Sequence, residues 1–312
     1  MNTEKKVLGS INEKPVKVLI STYNGEAYLR EQLESIYAQT YKNYKIYVRD
    51  DGSVDRTAEI LQEYETRYDN FTWFSGENMG ASKSFFDLMK TIPSEDAIYV
   101  FADQDDVWLP YKLKHINQVF SSNEEKEVLL YCGDTIVADE HLNILKKENF
   151  GKDIKPSFGN ALVENICIGC TAAINKNLLN MLIQTVPQKE VMHDWWFYLT
   201  ASCYGTVIYD EEPLVYYRQH ENNVMGSSVT VVGRIFKRLK NHRNHKNQLD
   251  QQAEEFSEIF SVDGKNKELL DCVIQYKTSL KKQWKLIKNQ EIYRQKKLDD
   301  LIFKILFLFK QL

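Results

Sequence analysis

Three aspartates, Asp103, Asp105 and Asp106, occupy three of four consecutive positions directly after the apolar run AIYVF. Carboxylates this close repel one another and raise each other's pKa unless a cation or hydrogen-bond donors relieve them. Mg²⁺ and Mn²⁺ take hard oxygen ligands and often bridge one or two carboxylates to substrate phosphates. The spacing therefore predicts a divalent-metal site that holds a diphosphate, with an acidic solvated turn as the alternative.

A further aspartate, Asp194, lies in the segment HDWW and precedes Trp195, Trp196 and Phe197. Among such neighbours the carboxylate would be partly desolvated, which raises its pKa toward that of a useful general base. The alternative is a helix N-cap beside core tryptophans. Asp194 is thus the candidate proton acceptor of the chain.

Arg218 and His220 stand two positions apart in the segment YYRQH. A guanidinium group such as that of Arg218 can stabilise a leaving diphosphate. His220 would complete the metal shell or contact the phosphates, unless it is a solvent-facing surface histidine. The segment is therefore a candidate for balancing negative charge in the same site.

Polar clusters also follow three other strand-like runs, in the segments STYNG, RDDGS and GENMG. The first lies between a strand and a helix, where free backbone N–H groups suit an anionic or nucleotide ligand. Asp50 in the second could accept hydrogen bonds from a base or a ribose, and the alternative is a capped turn. Asn78 and Gly80 are turn residues of the third. Together the clusters predict one ligand pocket.

The elements that must position these residues alternate between strand and helix in the first half of the chain. VKVLIS reads as a strand, and the next segment places Leu29, Leu33, Ile36 and Tyr37 on one helical face. Repetition of this cycle is typical of βαβ crossovers and predicts an α/β, Rossmann-like fold with a mainly parallel sheet flanked by helices. In such sheets ligands bind at the carboxyl ends of the strands.

The composition changes near residue 226, after which the chain reads as helical and basic. Residues 1–230 hold 22 Lys and Arg against 34 Asp and Glu, whereas residues 231–312 hold 18 against 10. We therefore expect a catalytic domain over residues 1–225 and a basic helical region over residues 226–312. The contrast in charge suggests different partners for the two parts.

Length and composition exclude several classes of protein. A chain of 312 residues with 43% hydrophobic residues builds a packed core and is not disordered. The pair Cys167 and Cys170 has metal-like spacing, but no second pair accompanies it, so core packing is favoured. Five scattered cysteines and a polar N-terminus indicate a reduced, cytoplasmic location. The best apolar run, LIFKILFLF, is broken by Lys304 and is too short to span a bilayer.

As an ordered set, these motifs resemble those of family 2 glycosyltransferases of the GT-A fold. The segments that carry the resemblance are VLISTYNGEAYLREQLESI, VRDDGSVDRT, NMG, FADQDDVWLPYKL, MHDWW and YRQHENNV. They are similar in particular to bacterial rhamnosyltransferase-type members that build surface polysaccharides. The resemblance covers roughly residues 15–225 and leaves the C-terminal region uncovered.

The resemblance implies roles for individual positions. Asp194 corresponds to the catalytic base, and Asp105 and His220 to metal ligands for Mn²⁺ or Mg²⁺, with Asp106 as a second candidate in place of Asp105. The nucleotide-sugar pocket would include Thr22, Tyr23, Asn24, Glu26, Asp50, Asn78, Asp103 and Arg218. The acceptor side would include Gly169, Cys170, Thr171 and Trp195.

The implied activity is an inverting transfer of a sugar, rhamnose from dTDP-rhamnose or a hexose from a UDP-sugar, onto a lipid-linked oligosaccharide. The setting would be bacterial surface polysaccharide, such as capsule or cell wall. One alternative is a nucleotidyltransferase, although STYNGEAYL has a single glycine where those enzymes carry a glycine-rich loop. The other is a non-catalytic scaffold that binds sugar nucleotides or membranes.

The C-terminal region allows two interpretations. Its helices pack against the catalytic body, or against a second subunit in a homo-oligomer. Alternatively Lys and Arg, with Trp284, Tyr293 and the Phe-rich end, attach the enzyme to an anionic membrane, which would be the inner face of the plasma membrane. No nucleic-acid-binding motif accompanies the basic residues, so we expect no nucleic-acid partner.

Overall fold

Two sheets organise the protein in the computed structural model, which describes residues 13–148, 150–220 and 248–310. Within these residues the main sheet has seven strands in the order β10-β6-β9-β4-β1-β2-β3, and a smaller sheet has the order β5-β11-β7-β8. The strands are β1 Val16–Thr22, β2 Tyr44–Asp50, β3 Phe71–Ser75, β4 Ile98–Ala102, β5 Val107–Trp108, β6 Leu129–Gly133, β7 Ile136–Ala138, β8 Ile144–Lys146, β9 Ala173–Ile174, β10 Thr206–Asp210 and β11 Val215–Arg218.

The main sheet is parallel except at one short strand. β1 pairs in parallel with β2 and β4, β2 with β3, and β6 with β10, whereas β9 runs antiparallel to β4 and β6. Helices connect the strands: α1 Leu29–Tyr37, α2 Thr57–Arg67, α3 Ala81–Thr91, α4 Lys112–Ser121, α5 Phe158–Ala161, α6 Lys176–Gln184 and α7 His193–Tyr204. This architecture confirms the predicted α/β fold with a mainly parallel sheet.

Hydrophobic periodicity explains the first crossover. Leu29, Leu33 and Ile36 of α1 are fully buried, as their helical spacing predicts, and they pack in one cluster with the strand residues Val18 and Ile46. The central strand β4 is buried at all five positions, as expected for a strand covered on both faces. The polar turn that follows β4 therefore begins at the carboxyl edge of the sheet, at the end of a fully buried strand.

The small sheet brings a distant segment to this edge. β11 pairs antiparallel with β5, with Val215 opposite Trp108 and Tyr216 opposite Val107. β11 also pairs in parallel with β7, and β7 pairs antiparallel with β8. Because β5 directly follows the acidic turn, the pairing places the end of β11 next to the three aspartates.

The helices of the C-terminal region are α8 Gln248–Ile259, α9 Gly264–Gln275, α10 Leu280–Lys288 and α11 Lys297–Leu308. Their buried residues Phe256, Leu270 and Phe303 belong to the same hydrophobic cluster as Trp196 of α7 and Phe158 of α5. The region thus packs on the catalytic body, and the predicted boundary at residue 226 lies outside the described residues. Among the described residues, no helix is long and apolar enough to cross a membrane.

Candidate active site

The loop after β1 is fastened to the acidic turn by Gln104. Its side-chain oxygen accepts hydrogen bonds from Thr22 Oγ1 at 2.5 Å and from the Tyr23 N–H at 2.9 Å, and its amide donates to the Tyr23 carbonyl at 3.1 Å. A Cβ on Gly25 would lie 2.4 Å from Gln104 Oε1, so a larger residue there would displace this bridge. Thr22 and Tyr23 therefore lie next to the aspartates, and the Tyr23 ring remains exposed.

Asn24 and Glu26 hold the first loop against the loop after β2. Asn24 adopts a left-handed φ of 49°, and its side-chain oxygen accepts from the Val54 N–H at 2.9 Å. Its own N–H donates to Ser53 Oγ at 2.8 Å. Glu26 Oε2 accepts from the Arg56 N–H at 2.9 Å. Both side chains form hydrogen bonds between the two loops at the rim of the pocket. Their contact with a nucleotide stays a prediction.

Asp50 is buried at the end of β2 and is held by two serines. It accepts hydrogen bonds from the Ser53 N–H at 3.2 Å and from Ser75 Oγ at 3.2 Å. Asn78 lies exposed in the loop between β3 and α3. The structure thus brings both residues to the carboxyl edge of the sheet, where the sequence predicts the nucleotide.

A buried ion pair between Arg49 and Asp51, at the end of β2, stabilises these loops. Asp51 also accepts hydrogen bonds from the N–H groups of Met79 at 3.0 Å and Gly80 at 2.9 Å, at the start of α3. Arg49 reaches Asp87 of α3 at 2.7 Å. The pair ties the end of β2 to the loop that carries Asn78.

Asp105 and His220, the two predicted metal ligands, lie together although 115 positions separate them. His220 Nε2 is 2.8 Å from Asp105 Oδ2, and the two side chains are only 11% and 15% exposed. The His220 ring stacks on Tyr28, with ring centroids 5.0 Å apart. The β5–β11 pairing is the cause of this proximity, since it brings the segment after β11 to the turn before β5.

Arg218 lies beside the acidic turn and contacts it directly. The side chain is almost fully buried, and its guanidinium donates to the Asp105 carbonyl at 2.7 Å, to the Glu140 carbonyl and to Glu31. It also lies over the Tyr28 ring, 4.6 Å from the centroid. Its contact with a leaving diphosphate stays a prediction. In the structure Arg218 positions the acidic turn.

Asp106 lies below the turn, fully buried. Its Oδ1 accepts from the Arg218 N–H at 3.0 Å, and burial raises its pKa to about 7. Lys112 lies nearby, with its ammonium 3.6 Å from the Trp108 ring centroid and donating to the Cys170 carbonyl at 2.7 Å. Burial lowers the pKa of Lys112 to about 7. This buried lysine offsets the negative charge beneath the aspartates.

Asp103 interacts electrostatically both with the other aspartates of the acidic turn and with Asp194. Burial raises its pKa well above the ordinary value, and the charges of Asp106, Asp105 and Asp194 raise it further. The carboxylates of the turn and of α7 are therefore close enough to act on one another.

Asp194 lies in the first turn of α7 and is 8% exposed. Its Oδ1 accepts from Asn165 Nδ2 at 3.0 Å and from the Trp195 N–H at 2.7 Å. Burial raises the pKa of Asp194 to about 7, and these hydrogen bonds oppose the rise because they favour the carboxylate. The group can therefore exchange a proton near neutral pH.

The four predicted acceptor-side residues separate into two groups. Gly169 lies against the base, since a Cβ there would be 3.5 Å from Asp194 Oδ2. Trp195 donates its indole N–H to the Ala161 carbonyl at 2.7 Å. Cys170 and Thr171 instead point into the protein: both are buried, and Thr171 Oγ1 donates to the Ile168 carbonyl at 2.8 Å. Their contact with an acceptor stays a prediction.

The residues present fit the divalent cation that the sequence predicts. Two neighbouring ligands of an octahedral ion at about 2.1 Å lie about 3 Å apart, and Asp105 Oδ2 and His220 Nε2 are separated by 2.8 Å. A second group, Asp103, Asp106 and Cys170, has ligand atoms within 4.8 Å of one another. Burial raises the pKa of Cys170 well above its usual value, so this group offers a thiol rather than a thiolate.

Several residues of the site are not predicted from the sequence. Gln104 stands between two predicted aspartates, and Asn165 carries no motif at all. His193 precedes Asp194 and is buried against Phe85, with ring centroids 4.4 Å apart, so burial lowers its pKa to about 3. The available signal was proximity in sequence to Asp103 and Asp194, which indicates a neighbourhood but not a contact.

Comparison with known proteins gives a family match and several relatives. The family model described as "Glycosyl transferase family 2" matches residues 17–182, a range that includes the three aspartates of the acidic turn. A dTDP-rhamnosyl transferase, RfbG of Shigella flexneri, is 30% identical over 237 residues, which are 70% of this chain and 78% of that protein. An uncharacterized glycosyltransferase of Rickettsia typhi is 28% identical over 66% of this chain and 64% of its own length.

Solved structures with similar folds include complexes with nucleotide sugars. S. aureus TarS 1–349 in complex with UDP-GlcNAc superposes with a TM-score of 0.57 at 18% identity, over 95% of this chain and 80% of that one. The mannosyltransferase PcManGT from Pyrobaculum calidifontis, in complex with GDP-Man and Mn²⁺, superposes with a TM-score of 0.54 at 17% identity, over 87% and 72%. At these identities the likeness concerns the fold.

Proposed function

The chain belongs to glycosyl transferase family 2, and we propose that it is an inverting enzyme that transfers a sugar from a nucleoside diphosphate to a hydroxyl group of a lipid-linked oligosaccharide. The observation that carries the proposal is the convergence of two chemically different groups. Asp105 and His220 form a cation site at the sheet edge, and buried Asp194 lies near enough to act on Asp103.

Rhamnose from dTDP-rhamnose is the first candidate donor, and a hexose from a UDP-sugar is the second. The relative at 30% identity is named a dTDP-rhamnosyl transferase, and the TarS and PcManGT structures contain UDP-GlcNAc and GDP-Man. The Thr22–Glu26 loop, Asp50 and Asn78 would bind the nucleotide, with Asp103 at its ribose or sugar side. The proposed setting is bacterial surface polysaccharide, as capsule or cell wall.

The cation would be held by Asp105 and His220, and when bound it would supply positive charge beside the leaving diphosphate. Arg218 maintains this pair, because its guanidinium fixes the Asp105 carbonyl and its N–H fixes Asp106. A carboxylate with an imidazole suits Mn²⁺ better than Mg²⁺, since imidazole is a softer donor. Mn²⁺ is accordingly the first ion to test.

Asp194 would act as the general base. Its carboxylate takes the proton of the acceptor hydroxyl while that oxygen attacks the anomeric carbon and the bond to the diphosphate breaks. One displacement of this kind inverts the configuration at the anomeric carbon. Asn165 and the Trp195 N–H keep the carboxylate oriented, and Gly169 leaves room beside Asp194 Oδ2.

The test is nucleotide release from a panel of UDP-, dTDP- and GDP-sugars with Mn²⁺, Mg²⁺ or EDTA, followed by transfer to lipid extracts of bacterial membranes. We expect slow, metal-dependent release from one donor, and transfer that inverts the anomeric configuration by NMR. Release that survives EDTA would contradict the metal assignment. Donor binding without turnover in either assay would favour a scaffold.

Asp194→Asn is the decisive variant, with Glu190→Gln as its control. Glu190 is a half-buried carboxyl group whose pKa burial also raises, but it bonds Ser82 Oγ at 2.7 Å and lies outside the acidic turn. We expect Asp194→Asn to lose about 10²- to 10⁴-fold in transfer rate, while donor binding and the Glu190→Gln rate stay close to wild type. Near-normal transfer by a folded Asp194→Asn enzyme would refute the base assignment.

A further inference from the structure

Helix α11 is apolar on two opposite faces. Phe303 and Phe307 are buried in the main core cluster. On the other side five large apolar residues are between 44% and 65% exposed, and their spacing places them on an arc of about 100°. These residues are Leu298, Leu301, Ile305, Leu308 and Phe309. A contiguous apolar surface that the core does not cover normally marks contact with another protein or with a membrane.

Helix α10 presents a matching strip. Leu280 and Trp284, four positions apart, are 67% and 53% exposed, while Gln283 and Leu286 are buried. Gln283 donates to the Phe307 carbonyl of α11 at 2.8 Å, so the two helices are fixed to each other. We call the exposed apolar residues of α10 and α11 the apolar face. Seven of the large exposed hydrophobic residues among the described residues belong to it.

Positive charge surrounds the apolar face. Residues 279–310 hold nine Lys and Arg against three Asp and Glu. Lys288 lies over the Trp284 ring, 5.8 Å from its centroid. Among the described residues, no carboxylate forms an ion pair with Lys281, Lys288, Lys296 or Lys297, whereas Lys285 and Lys304 pair with Glu268 and Asp300. An apolar surface bordered by unpaired lysines is complementary to lipid with anionic headgroups.

The segment between α10 and α11 is docked close to the acceptor side of the active site. A Cβ on Gly159 of α5 would lie 2.1 Å from the Glu291 carbonyl oxygen, so the two backbones touch. Asn160 donates to the Tyr293 carbonyl at 2.9 Å. The last residue of α5, Ala161, accepts the indole N–H of Trp195, next to the base. One short helix thus links the apolar face to Asp194.

We propose that the apolar face binds the surface of an anionic bilayer, with α10 and α11 lying in the headgroup region rather than crossing the membrane. The exposed side chains enter the boundary between headgroups and acyl chains, and the lysines contact anionic headgroups. Twelve residues of α11 are too few to span the hydrocarbon core. That this location serves a lipid-linked acceptor rests on the proposed function, but the binding itself does not.

The test is flotation of the full chain with vesicles of phosphatidylcholine, with or without phosphatidylglycerol, in the absence of sugar nucleotide. The variant Leu301→Ser/Ile305→Ser removes apolar area from exposed positions, so its fold is retained. Ile144→Ser/Leu145→Ser is the matched control, since these residues of β8 are 50% and 54% exposed outside the apolar face. A third variant, Lys281→Gln/Lys288→Gln/Lys297→Gln, tests the charge.

We expect the wild type and the β8 control to float only with phosphatidylglycerol vesicles, and Leu301→Ser/Ile305→Ser to lose at least tenfold in affinity. Each lysine removed should weaken binding by about fivefold, and binding should decrease as ionic strength rises from about 0.1 M to about 1 M. Failure of the wild type to bind, or equal binding to uncharged vesicles, would overturn the proposal. If the wild type is a dimer that does not bind vesicles, and Leu301→Ser/Ile305→Ser is a monomer, the apolar face binds a second copy of the chain instead.

Discussion

At the scale of single residues, burial raises the pKa of Asp194 toward neutral pH and lowers the stability of the fold. Its pKa is about 7 in the folded chain, above the value of 3.8 for an exposed aspartate, because of burial. A group whose pKa is raised by folding disfavours the folded state as pH increases from about 4 to about 7. Asp194→Asn should therefore be at least as stable as the wild type at pH 8, although we expect it to lose most of its transfer rate.

Asn165 gives a direct test of this tuning. Its amide donates to Asp194 Oδ1 and favours the carboxylate form, so Asn165→Ala should raise the pKa of Asp194 by about 1 to 2 units. We expect the acidic limb of the pH–rate profile to move to higher pH, with transfer rates at the alkaline plateau largely retained. The measurement is kcat/KM of donor and acceptor against pH.

The control for that profile is Asn180→Ala, because Asn180 bonds Ser94 at the surface and is remote from the base. An unchanged acidic limb in Asn165→Ala would show that another group determines the profile. A fall in rate that is equal at every pH would instead indicate that Asn165 only orients the carboxylate.

His220 should determine the metal requirement. Its Nε2 lies 2.8 Å from Asp105 Oδ2 in the proposed cation site, so His220→Ala removes one of two protein ligands. We expect the Mn²⁺ concentration for half-maximal activity, and the Mn²⁺ dissociation constant measured by electron paramagnetic resonance, to rise at least about tenfold. His141→Ala is the control, since His141 is exposed next to Glu140. Equal Mn²⁺ affinity in the two variants would contradict the assignment.

At the scale of elements, the loops of the nucleotide pocket depend on the buried Arg49–Asp51 pair. Asp51 holds the N–H groups of Met79 and Gly80, and Arg49 also reaches Asp87. Arg49→Met leaves a buried carboxylate without its partner, so we expect the free energy of unfolding to fall by about 3–5 kcal/mol. Urea denaturation followed by fluorescence measures this change.

The surface pair of Arg30 and Glu63 provides the comparison. Its two bonds are 3.0 and 2.7 Å long, but both side chains are about half exposed. Water and salt screen such pairs, so Arg30→Met should leave the urea midpoint nearly unchanged. If the two arginine variants lost equal stability, the network at the end of β2 would not support the loops as inferred.

The elements also show which parts of the site a sequence can predict. Apolar periodicity identifies α1 and a continuous apolar run identifies β4, and the polar clusters that follow the strands lie at one sheet edge. β5 has two residues and β11 four, too few for periodicity to identify them. Their pairing nevertheless decides that His220 meets Asp105. A contact across 115 positions depends on tertiary packing that no local pattern contains.

Side-chain direction is the second thing that residue type does not indicate. Arg218 was expected on a diphosphate and Cys170 and Thr171 at an acceptor, yet all three side chains point into the protein. Their motif positions are adjacent to the site, but the Arg218 guanidinium donates to the Asp105 carbonyl, and Cys170 Sγ lies within 4.8 Å of carboxylate oxygens of Asp103 and Asp106. Asn165, which no motif marks, contacts the base because the loop after α5 packs on the start of α7.

At the scale of the whole molecule, the C-terminal helices and the catalytic body share one hydrophobic core. Phe256 of α8 packs against Trp196 of α7 and Phe158 of α5, with ring centroids 5.4 and 6.0 Å apart. Polar bonds also cross between the parts, since Glu255 accepts the N–H groups of Gln188 and Lys189 at 2.7 Å. We therefore infer that the two predicted regions unfold as one cooperative unit.

Phe256→Ala tests this inference. The substitution opens a cavity at the junction and should reduce the free energy of unfolding by about 3–5 kcal/mol. If the core is shared, calorimetry should show a single unfolding transition for the wild type and for Phe256→Ala. The transition of the variant should lie at lower temperature. Sugar-nucleotide binding should be lost in that same transition. Leu298→Ala, at an exposed position of α11, should change stability by no more than about 0.5 kcal/mol. Two separate transitions, with only one shifted by Phe256→Ala, would establish instead that the C-terminal helices fold independently of the catalytic body.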